Sequence, residues 1–214
     1  MAVYDTADNV TSCSVNDATV FVIDDDEGLR NGVAFLLGTA GLTAKVFASG
    51  KDFLAFYNPL MHGCILLDIR MPDISGLDFQ EELRRLEIKL PVILMSAYGT
   101  IPLAVRAVRD GAFDFIEKPF DDEALLKRVR EAITLNIDQR IDNQKVKQAR
   151  EQLSSLTDRE RQVMSLVVSG MLNKQIAAEL GISAKTVENH RSRVMDKMGV
   201  RSLAELVHLN TLLD

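Results

Sequence analysis

The sequence contains no apolar run that approaches the roughly 20 residues a helix needs to cross a bilayer, so we expect no membrane partner. Its first residues, MAVYDTADNVTS, lack the basic and apolar regions of a secretory signal, and we therefore expect a cytoplasmic protein. Cysteine is scarce, and in the cytoplasm both thiols are expected to stay reduced. We interpret Cys64, which opens an apolar run, as a core residue and Cys13 as incidental.

Acidic residues outnumber basic ones, but the excess is confined to one part of the chain. Residues 1–142 carry 14 Lys and Arg against 23 Asp and Glu, a net charge of −9. Residues 143–150 carry a net charge of +3, and residues 151–214 are neutral. A chain of 214 residues can form one large domain or two small ones. The charge asymmetry indicates two modules with different partners.

Between Thr19 and about Phe120, short apolar runs alternate with segments of helical spacing. Such alternation is typical of right-handed βαβ units. It predicts a doubly wound α/β domain whose five-stranded parallel sheet is covered on both faces. The predicted strands are TVFVI, TAKVF, CILLD, PVILM and AFDFI.

The following segment, DDEALLKRVREAITLNIDQRIDNQKVKQAREQL, contains neither Gly nor Pro. Val129, Ile133, Ile137 and Ile141 recur in it at intervals of four residues, which favours one long helix that also serves as a linker. A second interpretation is a helix that ends near Asn136 and continues as a flexible polar tether.

From Leu156 onward the chain is predicted to form an all-α domain of four short helices. Thr157 and Glu160 form a capping box at the first helix. Glycines mark the ends of the first three helices. The N-caps predicted for the other three are Asn173, Ser183 and Ser202. The predicted core consists of Val163, Leu166, Ile176, Leu180, Ile182, Val187, Val194 and Leu206.

Polar side chains lie at the ends of four predicted strands. The acidic run Asp24–Asp26 follows the first strand, Asp68 ends the third, Ser96 ends the fourth and Lys118 ends the fifth. Because ligands of open α/β sheets bind at the carboxyl ends of the strands, we expect these groups to form one site. Asp26 is interpreted as the cap of the following helix.

The residue types at this edge favour phosphoryl chemistry. Clustered carboxylates repel each other unless a cation joins them. Mg²⁺ prefers oxygen ligands, and Mn²⁺ is the alternative. A carboxylate can attack phosphorus to form an aspartyl phosphate, which a lysine ammonium and a hydroxyl group stabilise.

Four segments at these strand ends, VFVIDDDEGLR, CILLDIRMP, LMSAYG and FDFIEKPF, resemble the receiver domain of bacterial two-component signalling. The resemblance covers residues 18–135. It implies the flavodoxin-like strand order 2-1-3-4-5, a sensor histidine kinase as partner, and a cis peptide bond before Pro119. The implied roles are Asp68 as phosphoacceptor; Asp24, Asp25, Asp68 and the Arg70 backbone carbonyl as metal ligands; and Ser96, Lys118 and Phe115 as phosphoryl-binding and switch residues.

The segment LTDRERQVMSLVVSGMLNKQIAAELGISAKTVENHRSRVMDKMGVRSLAELVHL resembles a LuxR-type helix-turn-helix domain, and the resemblance covers about residues 153–212. The resemblance implies that the helix Ala184–Met198 enters the major groove of double-stranded DNA. Asn189 can pair with adenine, and Glu188 can accept from cytosine or only support the helix. The predicted DNA-binding residues are Asn173, Lys174, Lys185, Thr186, Glu188, Asn189, Arg191, Ser192, Arg193 and Lys197.

The order of the two modules resembles the FixJ/NarL group of response regulators, and the stretch GTIPLAVRAVRDGAFDFIEKPF is most similar to the FixJ branch. This implies a transcription factor in which phosphorylation controls dimerisation and DNA binding, and which activates transcription with RNA polymerase. The predicted division is an N-terminal leader (1–17), a receiver (18–135), a helical linker (136–152) and a DNA-binding domain (153–214). The dimer face implied by the resemblance consists of Leu103, Val105, Arg106, Arg109 and Asp114.

Two other functions are compatible with parts of the sequence. Asp24 and Asp26 form a D-x-D at a strand end, as in a phosphatase that works through an aspartyl phosphate, but that hypothesis leaves Asp68 without a role. Alternatively, the helical end contacts protein instead of DNA. On the main hypothesis the chain is not an enzyme beyond its own phosphorylation and dephosphorylation.

Overall fold

The computed structural model describes residues 14–213. The described residues do not include Cys13, most of the predicted leader or the first segment, MAVYDTADNVTS. The chain divides into two compact units between Ile141 and Asp142. Within residues 14–213, no helix is both long enough and apolar enough to cross a membrane.

A five-stranded parallel sheet forms the centre of the first unit. Its order, β2-β1-β3-β4-β5, is the one that the receiver resemblance implies. The strands are β1 (Thr19–Ile23), β2 (Thr43–Phe47), β3 (Gly63–Asp68), β4 (Val92–Ser96) and β5 (Asp114–Glu117). The helices that alternate with them are α1 (Glu27–Thr39), α2 (Gly50–Phe56), α3 (Gly76–Arg85) and α4 (Ile101–Arg109), and a short 3-10 helix, Val15–Asp17, precedes β1.

The sheet is buried on both faces because its side chains alternate between two cores. Val20 and Val22 of β1 pack in a cluster with residues of α1 and of the helix after β5. Phe21 and Ile23 point to the other face and pack with residues of α2 and α3. Cys64 has no exposed surface, which confirms it as a core residue. The strand ends are thereby held in a rigid layer.

One continuous helix, α5 (Asp122–Ser154), follows β5 and extends into the second unit. The interpretation in which this helix ends near Asn136 is therefore wrong. Asn136 is 3% exposed, and its Oδ1 accepts from the backbone N–H of Gly63 at 3.1 Å. Its Nδ2 donates to the backbone carbonyl of Lys89 at 3.1 Å. The Asn136 side chain thus binds backbone groups at the start of β3 and before β4. It caps no backbone group of α5, and the helix continues past it.

Arg140, one turn further along α5, attaches the helix to the loop between α2 and β3. Its guanidinium donates to three backbone carbonyls, those of Pro59, Leu60 and Met61, at 3.1–3.4 Å. The apolar stripe of α5 fades at the same place, since Ile137 is 9% exposed and Ile141 is 36% exposed. In the first unit α5 is thus fixed by polar as well as apolar contacts.

The second unit contains the end of α5 and four short helices, as predicted. They are α6 (Asp158–Val168), α7 (Asn173–Leu180), α8 (Ala184–Lys197) and α9 (Leu203–Leu213). The capping box of Thr157 and Glu160 is present. All eight predicted core residues belong to one apolar cluster, although Leu166, Leu180 and Ile182 are only partly buried.

The N-cap predicted for α7 is wrong by one residue. The helix begins at Asn173, and Leu172 occupies the cap position. The side chain of Gln175 accepts from the backbone N–H of Leu172 at 2.8 Å and so supplies the capping hydrogen bond from inside the helix. The carboxamide of Asn173 is thereby left for another partner.

Candidate functional site

The polar residues predicted at the strand ends meet at one edge of the sheet. Asp24 follows β1, Asp68 is the last residue of β3 and Ser96 is the last residue of β4. β5 ends at Glu117, one residue before Lys118, and the backbone N–H of Lys118 continues the ladder by donating to the carbonyl of Ser96. Because neighbouring parallel strands end together, the four side chains converge although up to 94 residues separate them.

The ammonium of Lys118 connects two buried carboxylates. Its Nζ lies 2.6 Å from Oδ2 of Asp24 and 2.5 Å from Oδ1 of Asp68. The other two carboxylate oxygens accept from backbone N–H groups: Asp24 Oδ1 from Asp26 at 2.9 Å, and Asp68 Oδ2 from Arg70 at 2.6 Å. Each oxygen of both carboxylates therefore has a donor.

Burial and pairing act against each other on the charges of this site. Burial raises the pKa of Asp24, although the hydrogen bond from Lys118 opposes that shift. Burial alone would lower the pKa of Lys118, but its hydrogen bonds to Asp24 and Asp68 outweigh burial and raise that pKa. The two carboxylates thus favour the charged form of Lys118.

The acidic groups also fit a hard divalent cation. Asp24, Asp25 and Asp68 each offer a carboxylate oxygen, and these oxygens lie within 4.8 Å of one another. Asp25 is exposed, whereas the other two are buried, so a cation would enter from the Asp25 side. Mg²⁺ prefers oxygen ligands and is commonly held by one or two carboxylates together with waters and phosphate oxygens. Asp26 does not join this group: its side chain accepts from the N–H of Leu29 and caps α1, as predicted.

The rim of the site is formed by the residues after β3 and β4. The Ser96 hydroxyl accepts from the N–H of Tyr98 at 3.1 Å. The guanidinium of Arg70 lies 3.9 Å above the Tyr98 ring, a cation–π contact. The Lys118–Pro119 peptide bond is cis, as the resemblance implied. Phe115 is half-buried in β5 and packs in the same cluster as Leu103.

Gly76 belongs to the support of the site and was missed by the sequence analysis. It is the first residue of α3, and its N–H donates to the carbonyl of Ile69 at 2.9 Å. A Cβ at this position would lie 2.3 Å from the carbonyl oxygen of Asp68. The available signal was a glycine directly after the helix cap Ser75, a few residues beyond the key aspartate, but only the folded chain shows what it touches.

The predicted dimer face lies on α4 and β5. Its α4 members are exposed, except for Leu103, which is partly buried. Two charged members are paired within the chain: Arg106 with Asp110 at 3.4 Å, and Asp114 with Arg128 at 2.8 Å. Three apolar side chains of the same helix are more than half exposed: Ile101, Val105 and Val108.

In the second unit, α8 presents one polar face. Val187 and Val194 are buried, which turns Lys185, Asn189 and Arg193 towards solvent at intervals of four residues. Ser192 and Glu188 are also exposed, and Lys185 pairs with Glu188 at 3.1 Å. Lys174 is exposed on α7. Among the described residues Lys174, Asn189, Ser192 and Arg193 have no side-chain partner.

Other predicted DNA-binding residues are engaged inside the unit. Arg191 donates to Oδ1 of Asn173 at 2.7 Å and so connects α8 to the start of α7. The Thr186 hydroxyl pairs with that of Ser183 at the helix cap. The ammonium of Lys197 lies 2.7 Å from Glu160 Oε2 and 3.1 Å from the Ser155 carbonyl. The polar atoms of these side chains therefore have partners within the second unit.

Comparisons with known proteins agree with both units. A family model for the response regulator receiver domain matches residues 20–130, and the model described as bacterial regulatory proteins, luxR family, matches residues 154–210. The chain is 42% identical to the transcriptional regulatory protein TdiR of Thauera aromatica over 194 residues, covering 90% of this chain and 85% of that one. It is 40% identical to the transcriptional regulatory protein FixJ of Rhizobium meliloti over 195 residues, covering 91% and 96%.

Two solved structures extend the likeness over nearly the whole chain. The low-resolution structure of the response regulator StyR matches with a TM-score of 0.83 and 44% identity, covering 91% of this chain and 98% of that one. Full-length FixJ from B. japonicum matches with a TM-score of 0.57 and 36% identity, covering 92% and 97%. The chain therefore belongs to the response regulators of the FixJ/NarL type, in which a receiver domain is followed by a LuxR-type DNA-binding domain.

Proposed function

We propose that Asp68 is the phosphoacceptor of this response regulator and that the phosphoryl group controls dimerisation and DNA binding. The observation that carries the assignment is the position of Asp68 at the end of β3, 6% exposed, with Lys118 bridging it to Asp24. A buried carboxylate needs such partners. The donor is the phosphohistidine of a sensor histidine kinase, which fits a receiver domain.

In the transfer step, a carboxylate oxygen of Asp68 attacks phosphorus. The new oxygen–phosphorus bond forms as the bond from phosphorus to the donor breaks, and its electron pair leaves with the donor nitrogen. Asp24, Asp25, Asp68 and the Arg70 backbone carbonyl would hold Mg²⁺ or Mn²⁺, and the ion would neutralise charge on the phosphoryl oxygens. Lys118 exchanges its bond to Asp68 for a phosphoryl oxygen, and the Ser96 hydroxyl donates to another.

The second candidate chemistry, a phosphatase using Asp24 and Asp26, is not favoured. The Asp26 carboxylate is occupied in capping α1, so it is not placed as the acid of such a reaction. The hypothesis also leaves the buried Asp68 and its contact with Lys118 without a role. The chemistry of this chain is limited to gaining and losing its own phosphoryl group.

The response is a change in a pre-existing equilibrium between two conformations. The bonds that Ser96 and Lys118 make to the phosphoryl group change the position of Phe115, the half-buried switch residue of β5. The face of α4 and β5 with Leu103, Val105, Arg106, Arg109 and Asp114 then binds a second copy. The exposed apolar side chains of this face supply contact area for the second copy. The ion pairs of Arg106 with Asp110 and of Asp114 with Arg128 can be exchanged for ion pairs between the two copies.

In the dimer, α8 of each copy enters the major groove of paired half-sites. Asn189 pairs with adenine, and Glu188 accepts from cytosine in place of its contact with Lys185. Lys174, Lys185, Ser192 and Arg193 contact phosphates, with Thr186 at the helix start. Asn173, Arg191 and Lys197 contribute through the geometry of the helix-turn-helix. The bound dimer recruits RNA polymerase and activates transcription.

The phosphoacceptor is tested by incubating the full chain with acetyl phosphate and Mg²⁺ and measuring the phosphorylated fraction by intact mass. The variant Asp68→Asn should take up no phosphoryl group. Asp73→Asn, which removes an exposed carboxylate of the following loop, should behave as the wild type. Uptake by Asp68→Asn at the wild-type rate would refute the assignment.

A further inference from the structure

The side chain of Arg30 reaches back from α1 to the end of β1. Its Nη1 donates to the backbone carbonyl of Asp24 at 2.7 Å. Side chains of a helix point towards its N-terminus, so the guanidinium in the first turn of α1 meets the strand that precedes the helix. Arg30 is half-buried, and within residues 14–213 it forms no ion pair with the acidic residues around it.

The bond from Arg30 completes the partners of Asp24. The backbone N–H of Asp24 donates to the carbonyl of Phe47 at 3.2 Å. Its Oδ1 accepts from the N–H of Asp26, and its Oδ2 accepts from the ammonium of Lys118. The neighbouring strand β2 ends at Phe47, so the sheet ladder offers no N–H to the Asp24 carbonyl. Arg30 supplies the donor that the ladder lacks, and all four polar atoms of this 1% exposed residue are bound.

Two effects of Arg30 on a bound cation have opposite signs. As a positive charge next to an acidic cluster, the guanidinium repels Mg²⁺, but solvent and salt screen that repulsion at a half-buried side chain. As a donor, it keeps the Asp24 backbone in place and thereby orients the carboxylate. Loss of a residue that orients a metal ligand costs roughly 10- to 100-fold in affinity. The orienting effect should therefore outweigh the repulsion.

We propose that Arg30 is a positioning residue for the metal ion, since it holds Asp24 in the orientation that lets its carboxylate serve both the ion and Lys118. This role rests on the proposed function, in which Asp24, Asp25 and Asp68 hold the ion. Arg30 acts through the backbone of Asp24 and contacts neither the ion nor the phosphoryl group. Without its bond, the Asp24 carbonyl would have to turn towards solvent, and the carboxylate would turn with it.

Mg²⁺ binding to the full chain, without a phosphoryl donor, tests this role. The titration is followed by the amide signals of Asp26 and Arg70, whose N–H groups donate to the carboxylates of Asp24 and Asp68. Arg30→Met removes the donor and the charge, and it should weaken Mg²⁺ binding about 10-fold. Arg30→Lys keeps the charge and a donor and should stay within about 3-fold of the wild type. Arg85→Met removes an equal charge at the exposed end of α3 and should leave binding unchanged.

Phosphorylation by acetyl phosphate at increasing Mg²⁺ concentration gives a second readout. Arg30→Met should raise the Mg²⁺ concentration at half-maximal rate about 10-fold. The rate at saturating Mg²⁺ should stay within roughly 2-fold of the wild type, because Asp68 and Lys118 are unchanged. A loss of folded protein would have the opposite pattern, with a lower maximal rate at an unchanged half-maximal concentration.

Unchanged or tighter Mg²⁺ binding by Arg30→Met would overturn the proposal, and tighter binding would show that only the charge of Arg30 matters. If Arg30→Met does not fold, Arg30→Gln keeps an N–H donor without the charge. It should bind Mg²⁺ about 2- to 5-fold more weakly than the wild type, and equal or tighter binding would again overturn the proposal. A wild type that neither binds Mg²⁺ nor takes up a phosphoryl group would instead refute the proposed site itself.

Discussion

Substitution of Gly76 by alanine is expected to disturb Asp68 without removing any functional group. The Cβ of alanine would lie 2.3 Å from the Asp68 carbonyl oxygen and 2.9 Å from Cα of Ile69. Both are backbone atoms, so neither can swing aside as the end of a side chain would. Since relaxed contacts need about 3.5 Å, the end of β3 or the start of α3 must move by about 1 Å.

The free energy of unfolding should fall accordingly. Overpacking of this kind costs about 1–3 kcal/mol, and alanine recovers roughly 0.5–1 kcal/mol through the lower entropy of the unfolded chain. A net loss of about 1–2 kcal/mol is expected. A displacement of about 1 Å at the nucleophile should also slow phosphorylation by roughly 10- to 100-fold. The two effects should appear together because one contact causes both.

The chain itself provides a selective probe. It contains no tryptophan, and its three tyrosines all lie within the first 98 residues, so intrinsic fluorescence in a urea titration reports the first unit alone. Gly32→Ala is the matched control, since a Cβ there meets nothing within 4 Å on the exposed face of α1. That variant should gain roughly 0.5–1 kcal/mol and keep its phosphorylation rate. Wild-type stability and wild-type rate in Gly76→Ala would show that the close contact has no effect.

Further predictions concern the second unit. The hydrogen bond from Lys197 lowers the pKa of Glu160 from 4.5 to about 2, so its contribution to stability is complete above pH 4.5 and is lost as the pH falls through about 2. Glu160→Gln should abolish this part of the acid unfolding, followed by amide signals of residues 142–213, whereas the exposed Glu188→Gln should retain it. Asn189→Ala should relax base preference at one position by about 1–3 kcal/mol in binding to a panel of operators. Arg193→Gln should instead weaken binding to all DNA sequences by a similar factor. It should also reduce the slope of the logarithm of the binding constant against the logarithm of salt concentration by about one. Equal slopes in the Asn189 and Arg193 variants would contradict this division between base and phosphate contacts.

The site could be predicted largely because parallel topology makes it a property of sequence order. Once five strands alternate with helices, the residues after each strand must share an edge, and Asp24, Asp68, Ser96 and Lys118 all occupy such positions. The types of side chain then indicate the chemistry.

Contacts between distant segments could not be predicted in the same way. Asn136 interrupts the apolar pattern of the predicted helix, as a residue at a helix end would. Only the fold shows that its side-chain amide forms hydrogen bonds with the backbone of Gly63 and Lys89. Arg191 on a basic helix indicates phosphate binding, yet its partner is Asn173, 18 residues away. Local sequence patterns assign a residue to one face of a helix or strand. They do not identify its hydrogen-bond partner on a segment that is distant in sequence.

The attachment of α5 through Asn136 and Arg140 has a practical consequence for building hybrid regulators. A receiver cut at residue 135 would lose the amide that serves Gly63 and Lys89 and the guanidinium that holds the loop before β3. Its own sheet layer would then contain unpaired buried backbone groups. A fusion joint placed after Ile141 keeps both side chains with the receiver to which they belong, so the output module can be exchanged without weakening the input module.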